Sequence, residues 1–195
     1  MPKQRMAEIS RLKAEWYLIY TLFTPFDLGR NTPRKGRTKD MIKILFVCWG
    51  NICRSPMAEY IMKDMVKKEG LSERIYVESA ATSTEELGNP VYPPAREELK
   101  LHGIDCKGHH ARQVRSSDYD KFDYIIAMED IHYQIMKNRF FGGRGDKITL
   151  CMDYSSKPGS QIADPWYTGD FVTAYNQIEE GCRGLLQVIR RKNDL

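Results

Sequence analysis

The chain has 195 residues, 42% hydrophobic and 29% charged, which suits one compact domain, leaves no room for two full-sized cores and excludes disorder throughout. Its formal net charge of +4 is unevenly placed: nine Lys or Arg against four Asp or Glu precede Met41, and 21 against 22 follow it. A nucleic-acid-binding body carries a basic field of its own, so nucleic acid is not an expected partner of residues 41–195.

In chain order, residues from about Lys3 to Tyr20 have the spacing of an amphipathic helix. The stretch Arg30 to Asp40, with Pro33, Gly36 and five Lys or Arg, reads as a linker. Ile42, Ile44, Leu45, Phe46 and Val47 form a nearly continuous apolar run, as in a strand buried on both faces. From Pro56 the apolar residues Met57, Ala58, Tyr60, Ile61, Met65 and Val66 recur at helical spacing and stop at Gly70. Further strands are predicted over Arg74 to Ser79, Tyr124 to Met128 and Lys147 to Cys151, and helices over Ala95 to Leu101 and Phe171 to Lys192. Alternation of strands and helices predicts an α/β domain, a three-layer α/β/α sandwich around a four-stranded parallel sheet, spanning residues 41–195. Residues 1–40 are then a basic N-terminal extension or the product of a start codon placed too early, and contact with an acidic membrane surface is expected only through them.

Five cysteines, Cys48, Cys53, Cys106, Cys151 and Cys182, are too few and odd in number for a disulfide framework. No apolar run approaches the roughly 18 residues of a membrane span. A cytoplasmic protein is expected. Adjacent His109 and His110 would point apart on extended chain, so no metal site is expected there and both imidazoles read as solvent-facing or partly packed.

The chemistry concentrates in Val47-Cys48-Trp49-Gly50-Asn51-Ile52-Cys53-Arg54-Ser55-Pro56, between the first strand and the first helix. A loop that enters a helix N-terminus can turn successive N–H groups inward as a cradle for a tetrahedral oxyanion. Gly50 and Asn51 suit the positive-φ backbone such a cradle needs. Cys48 and Arg54, with five residues between them, would close the ring around one phosphate, with the guanidinium gripping two oxygens as a fork. Helix terminus, Arg54 and N–H donors all favour the Cys48 thiolate, a nucleophile to which Ser55 can donate its hydroxyl.

This sequence resembles the low-molecular-weight protein tyrosine phosphatase family, whose signature is a Val-Cys-x-Gly-Asn-Ile-Cys-Arg-Ser-Pro loop directly after the first strand. The similarity continues through Ser79 to Thr82, His102-Gly103-Ile104, Ala111-Arg112-Gln113, Phe122 to Met128 and Asp164-Pro165-Trp166-Tyr167, covering roughly Met41 to Lys192. The resemblance implies hydrolysis of phosphotyrosine in protein substrates without cofactor or metal, Cys48 as nucleophile and Asp164 as general acid and then base. It also implies that Asn51 holds the loop's shape, with Ser55 and His102 in its hydrogen-bond network, and that Cys53 is a candidate for a reversible disulfide with Cys48. Three departures bear on specificity. Glu85 stands where the family usually places an aromatic wall, leaving Trp49, Trp166 and Tyr167 to line the slot. Ile52 matches phosphotyrosine enzymes rather than the Thr of related arginine-phosphate phosphatases. Glu129-Asp130-Ile131-His132 differs from a Met-Asp-x-x-Asn pattern, so Glu129 receives no role. The rival readings are an arsenate reductase of the same fold, for which Cys106, Cys151 and Cys182 look too scattered, and a phosphate-reading module without turnover. Oligomeric state is open.

Overall fold

A computed structural model describes residues 41–195. The amphipathic stretch at Lys3 to Tyr20 and the basic linker at Arg30 to Asp40 lie outside the described residues.

Strand β1 (Ile42–Cys48) is followed by helix α1 (Arg54–Lys68), β2 (Ile75–Ala81), α2 (Pro93–Leu101), a short α3 (Asp118–Lys121) and β3 (Tyr124–Ala127). Then come α4 (Asp130–Ile135), which widens into a π-turn over Met136–Phe140, and β4 (Ile148–Leu150), which runs into a 3-10 turn over Cys151–Tyr154. The chain ends with the single turn α5 (Pro165–Thr168) and the long α6 (Phe171–Asn193). The strands form one parallel sheet in the order β2-β1-β3-β4.

Alternation along β1 divides the core between the two faces of the sheet. Ile44 and Phe46 point toward α1, α2 and α6, with Met57, Ile61, Leu99, Ile178 and Leu185. Leu45 and Val47 point the other way, with Phe122, Ile125, Met136 and Phe141. The result is the expected three-layer sandwich. Helix α6 closes on the 3-10 turn because it has no side chain there: a Cβ on Gly184 would lie 1.8 Å from the Tyr154 carbonyl oxygen. No helix among the described residues is long and apolar enough to cross a membrane.

The chain crosses from β2 on one side of β1 to β3 on the other, so the strand order reverses at the C-terminal edge of β1 and β3. In open α/β sheets a crevice at such a switch point receives the ligand. The loops after β1 and β3 meet there. Elements expected from sequence agree with those observed to within two residues at most ends, and three differences have simple causes. Helix α1 begins at Arg54, two residues before Pro56. Helix α2 begins at Pro93, because a proline in the first helical turn gives up no hydrogen bond. Strand β4 stops at Leu150, where its N–H is taken by the Asp153 carboxylate at 2.9 Å and the chain turns.

Candidate active site

The loop after β1 is held from its centre. Asn51 has φ 58°, the one left-handed residue in the loop, a conformation Asn tolerates better than most residues. Its fully buried side chain donates through Nδ2 to Ser55 Oγ (2.9 Å) and Ser79 Oγ (2.8 Å), and its Oδ1 accepts from the Arg112 N–H (3.1 Å). Ser79 passes the chain on to buried Glu59 at 2.5 Å. Gly50, expected to share the positive φ, does not; a Cβ there would press on the Glu86 side chain, 3.1 Å from its Cγ.

At the head of the loop, Cys48 Sγ lies 3.0 Å from Ser55 Oγ and accepts the Asn51 N–H at 3.3 Å. At its end, the Arg54 side chain is buried to 2% exposure between two carboxylates. Its Nη1 donates to Glu129 Oε2 (2.5 Å) and to the Ile162 carbonyl (2.8 Å), and its Nη2 to Asp164 Oδ2 (2.5 Å). Burial works against the charge on Arg54, but Cys48, Asp164 and Glu129 outweigh it and raise its proton affinity further. Asp164 caps α5, its Oδ1 accepting the Trp166 N–H at 3.1 Å. Cys48, Arg54, Glu129 and Asp164 thus line one cavity of about 550 Å³.

The family comparisons agree with this geometry. Residues 43–195 match the low molecular weight phosphotyrosine protein phosphatase family. The chain belongs to that family, a family of hydrolases. It is 39% identical over 156 residues to a low molecular weight protein-tyrosine-phosphatase, YfkJ, of Bacillus subtilis (strain 168), an alignment covering 80% of this chain and all of that one. It is 38% identical over 148 residues to the low molecular weight phosphotyrosine protein phosphatase of Homo sapiens, covering 74% and 93%. The crystal structure of YfkJ superposes with a TM-score of 0.77 at 38% identity, covering 80% of this chain and 99% of that one.

Of the other residues singled out from sequence for a phosphatase of this family, Trp49, Gly50, Ile52, Cys53, Trp166 and Tyr167 also line the cavity. Trp166 is braced against Tyr92, ring centroids 4.8 Å apart, whereas Tyr167 is 86% exposed. Burial, and then the neighbouring Cys48, push the Cys53 thiol well above its ordinary range, so it stays protonated at neutral pH.

His102 is placed elsewhere. It follows the last turn of α2 as its C-cap, its ring stacked on Tyr175 with centroids 3.7 Å apart and its Nε2 3.2 Å from Glu98. The imidazole that does touch Asn51 is His109, buried rather than solvent-facing, whose Nε2–H donates to the Asn51 carbonyl at 2.8 Å. Nothing in the His109-His110 pair marks one of them for burial. Glu129, left without a role by the sequence, reaches Arg54 because the loop after β3 meets the loop after β1. His132, also on the cavity wall, is buried with Nδ1 unpartnered. Its burial, with the charge of Arg54 behind it, pushes the imidazole down to about 3.

Cys106, Cys151 and Cys182 do not line the cavity. Cys151 and Cys182 are packed in the core, where the Cys182 thiol on α6 donates to the Ala58 carbonyl at 3.7 Å. All five thiols are free.

Proposed function

We propose that this chain hydrolyses phosphotyrosine in protein substrates through a phosphocysteine intermediate. The observation that carries the reading is that Arg54 hydrogen-bonds Asp164 across 110 residues of sequence, in the cavity that Cys48 also lines. The phosphoryl group sits in the loop, facing its N–H groups and the first turn of α1. Arg54 supplies charge from a position fixed by Glu129 and the Ile162 carbonyl. Both Nη1 protons are used there, which leaves Nε and Nη2 as the edge that can grip two phosphate oxygens. Asp164 occupies that edge through Nη2 and gives it up as phosphate enters, becoming free to face the leaving oxygen.

In the first step the Cys48 sulfur attacks phosphorus, the P–O bond to the tyrosine ring breaks, and protonated Asp164 gives its proton to the departing phenolate oxygen. In the second, the Asp164 carboxylate takes a proton from water as that water attacks phosphorus. The S–P bond breaks, inorganic phosphate leaves, and the Ser55 hydroxyl steadies the returning thiolate. Phosphoryl transfer needs little covalent help beyond this, so positioning and electrostatics supply most of the acceleration. Trp49, Gly50, Ile52, Cys53, Trp166 and Tyr167 shape the slot for the phenyl ring, and Asn51 keeps the loop's form. Cys53 stands ready to form a disulfide with Cys48 after oxidation. The free thiols fit the reducing cytoplasm as the working compartment.

The test compares hydrolysis of phosphotyrosine and phosphoarginine peptides by wild type and Cys48→Ser, under reducing conditions with a chelator present. Preference for phosphotyrosine, abolished by at least about a thousandfold in Cys48→Ser, is expected. Thioredoxin-coupled arsenate turnover in place of hydrolysis, or tight phosphopeptide binding without turnover, would overturn it.

A further inference from the structure

The cavity wall holds more negative charge than the reaction uses. Glu85, Glu86, Glu129 and Asp164 line it against a single cation, Arg54. Glu129 and Asp164 are both engaged by that guanidinium. Glu85 and Glu86 make no ion pair within 4.0 Å among the described residues; their hydrogen bonds come from neutral groups, the Trp49 indole N–H on Glu85 at 2.8 Å and the Asn89 amide on Glu86 at 2.7 Å. These bonds orient the carboxylates without neutralising them. A dianionic phosphoryl group entering here meets a field of its own sign that Arg54 alone does not cancel.

The Trp49–Glu85 bond does something more specific. Trp49 directly follows the nucleophile and is 42% exposed. Its tie to Glu85 sets an indole face and a carboxylate without a cation partner among the described residues side by side at the cavity rim, the two surfaces that a Lys or Arg side chain binds. An aromatic residue at position 85 would offer only the first.

We infer that Glu85 is a specificity-determining residue: together with Trp49 it receives a Lys or Arg side chain flanking the phosphotyrosine, so that phosphotyrosine in basic sequence is the favoured substrate and phosphotyrosine in acidic sequence is disfavoured. This rests on the phosphatase reading above. The positive flank supplies the compensating charge that the cavity lacks, and an acidic flank adds to the repulsion, which gives discrimination by both attraction and exclusion.

The experiment uses the full chain and two phosphotyrosine peptides that differ only in carrying Lys or Glu on either side of the phosphotyrosine, each kcat/KM being divided by that for free phosphotyrosine. Wild type is expected to favour the Lys peptide by about three- to tenfold at low ionic strength, with the ratio shrinking as salt is added, as for a rim-exposed charge pair. Glu85→Gln, which keeps an oxygen for the Trp49 N–H, is expected to cut the ratio to about twofold or less. Equal turnover of both peptides by wild type, or an unchanged ratio in Glu85→Gln, would overturn the inference while leaving the phosphatase reading intact. Absence of turnover of free phosphotyrosine by the folded wild type would overturn the reading beneath it.

Discussion

The two ends of the Cys48–Arg54 loop are built in opposite ways. Around Asn51 the side chain and carbonyl are held by hydrogen bonds to neutral groups, to Ser55, Ser79, the Arg112 N–H and the His109 ring. Around Arg54 the contacts are charged, and one of them, Asp164, holds the edge that phosphate would take. A satisfied neutral network in the interior has nothing to gain by rearranging. A guanidinium shared between two carboxylates can exchange one anion for another at small cost, because its charge stays paired throughout. On the proposed mechanism the first end keeps shape and the second changes partners, which is the division of labour expected of a loop that must stay rigid while its ligand comes and goes.

Substitutions on the two ends should therefore separate activity from stability. Asp164→Ala removes the exchangeable partner: turnover of phosphotyrosine is expected to fall about 10²–10⁴-fold, most for leaving groups of high pKa. Its unfolding midpoint in urea should move little, since Glu129 and the Ile162 carbonyl still hold Arg54. Asn51→Ala strikes the other end. It puts a residue that resists positive φ at 58° and strips partners from Ser79 and the Arg112 N–H, a loss of about 2–4 kcal/mol by urea denaturation together with loss of turnover. A stable but inactive Asn51→Ala, or an unfolded Asp164→Ala, would erase the distinction.

A third prediction uses pH on the Arg54 end. His132 holds its proton more weakly in the folded chain, about 3, than the 6.5 of an exposed imidazole. The unfolded chain therefore binds the extra proton first as pH falls. This group's share of stability is complete above about pH 6.5 and drains away toward pH 3, at a slope of up to about 1.4 kcal/mol per pH unit. Urea midpoints measured from pH 7 to pH 4 should fall less steeply in His132→Leu than in wild type. The smallest effect belongs to Cys53. Cys53→Ser should leave turnover under reducing conditions within about twofold, because a thiol kept protonated by burial takes no part in phosphoryl transfer. It should instead abolish the recovery of activity when a reductant follows peroxide, and unchanged recovery would remove the disulfide role.

How much of this was legible in sequence follows from the length scale of each signal. The apolar run of β1 and the helical spacing of α6 each repeat often enough to declare their type, and their observed ends fall close to those expected. The turns at Asp118–Lys121 and Pro165–Thr168 have four residues each, less than the span over which a period can be counted, and went unread. In the site, Cys48, Arg54 and Asn51 share one contiguous motif, so local spacing was enough. His109 and Glu129 reach the loop only through the fold. Nothing local distinguishes His109 from His110, and the family pattern pointed to His102, whose ring is stacked on Tyr175 instead. The pairing of Trp49 with Glu85 likewise needed the loop after β2 brought beside the loop after β1.

The central claim is that Cys48 carries the phosphoryl group between the two steps. Its most direct test is acid quenching of Asp164→Ala during turnover of an aryl phosphate whose leaving group needs no proton, followed by mass spectrometry of the peptide that bears Cys48. The account predicts one phosphoryl group on the Cys48 sulfur, lost on longer incubation and absent from Cys48→Ser. Steady turnover with an unmodified Cys48, or a phosphoryl group on another residue, would contradict it.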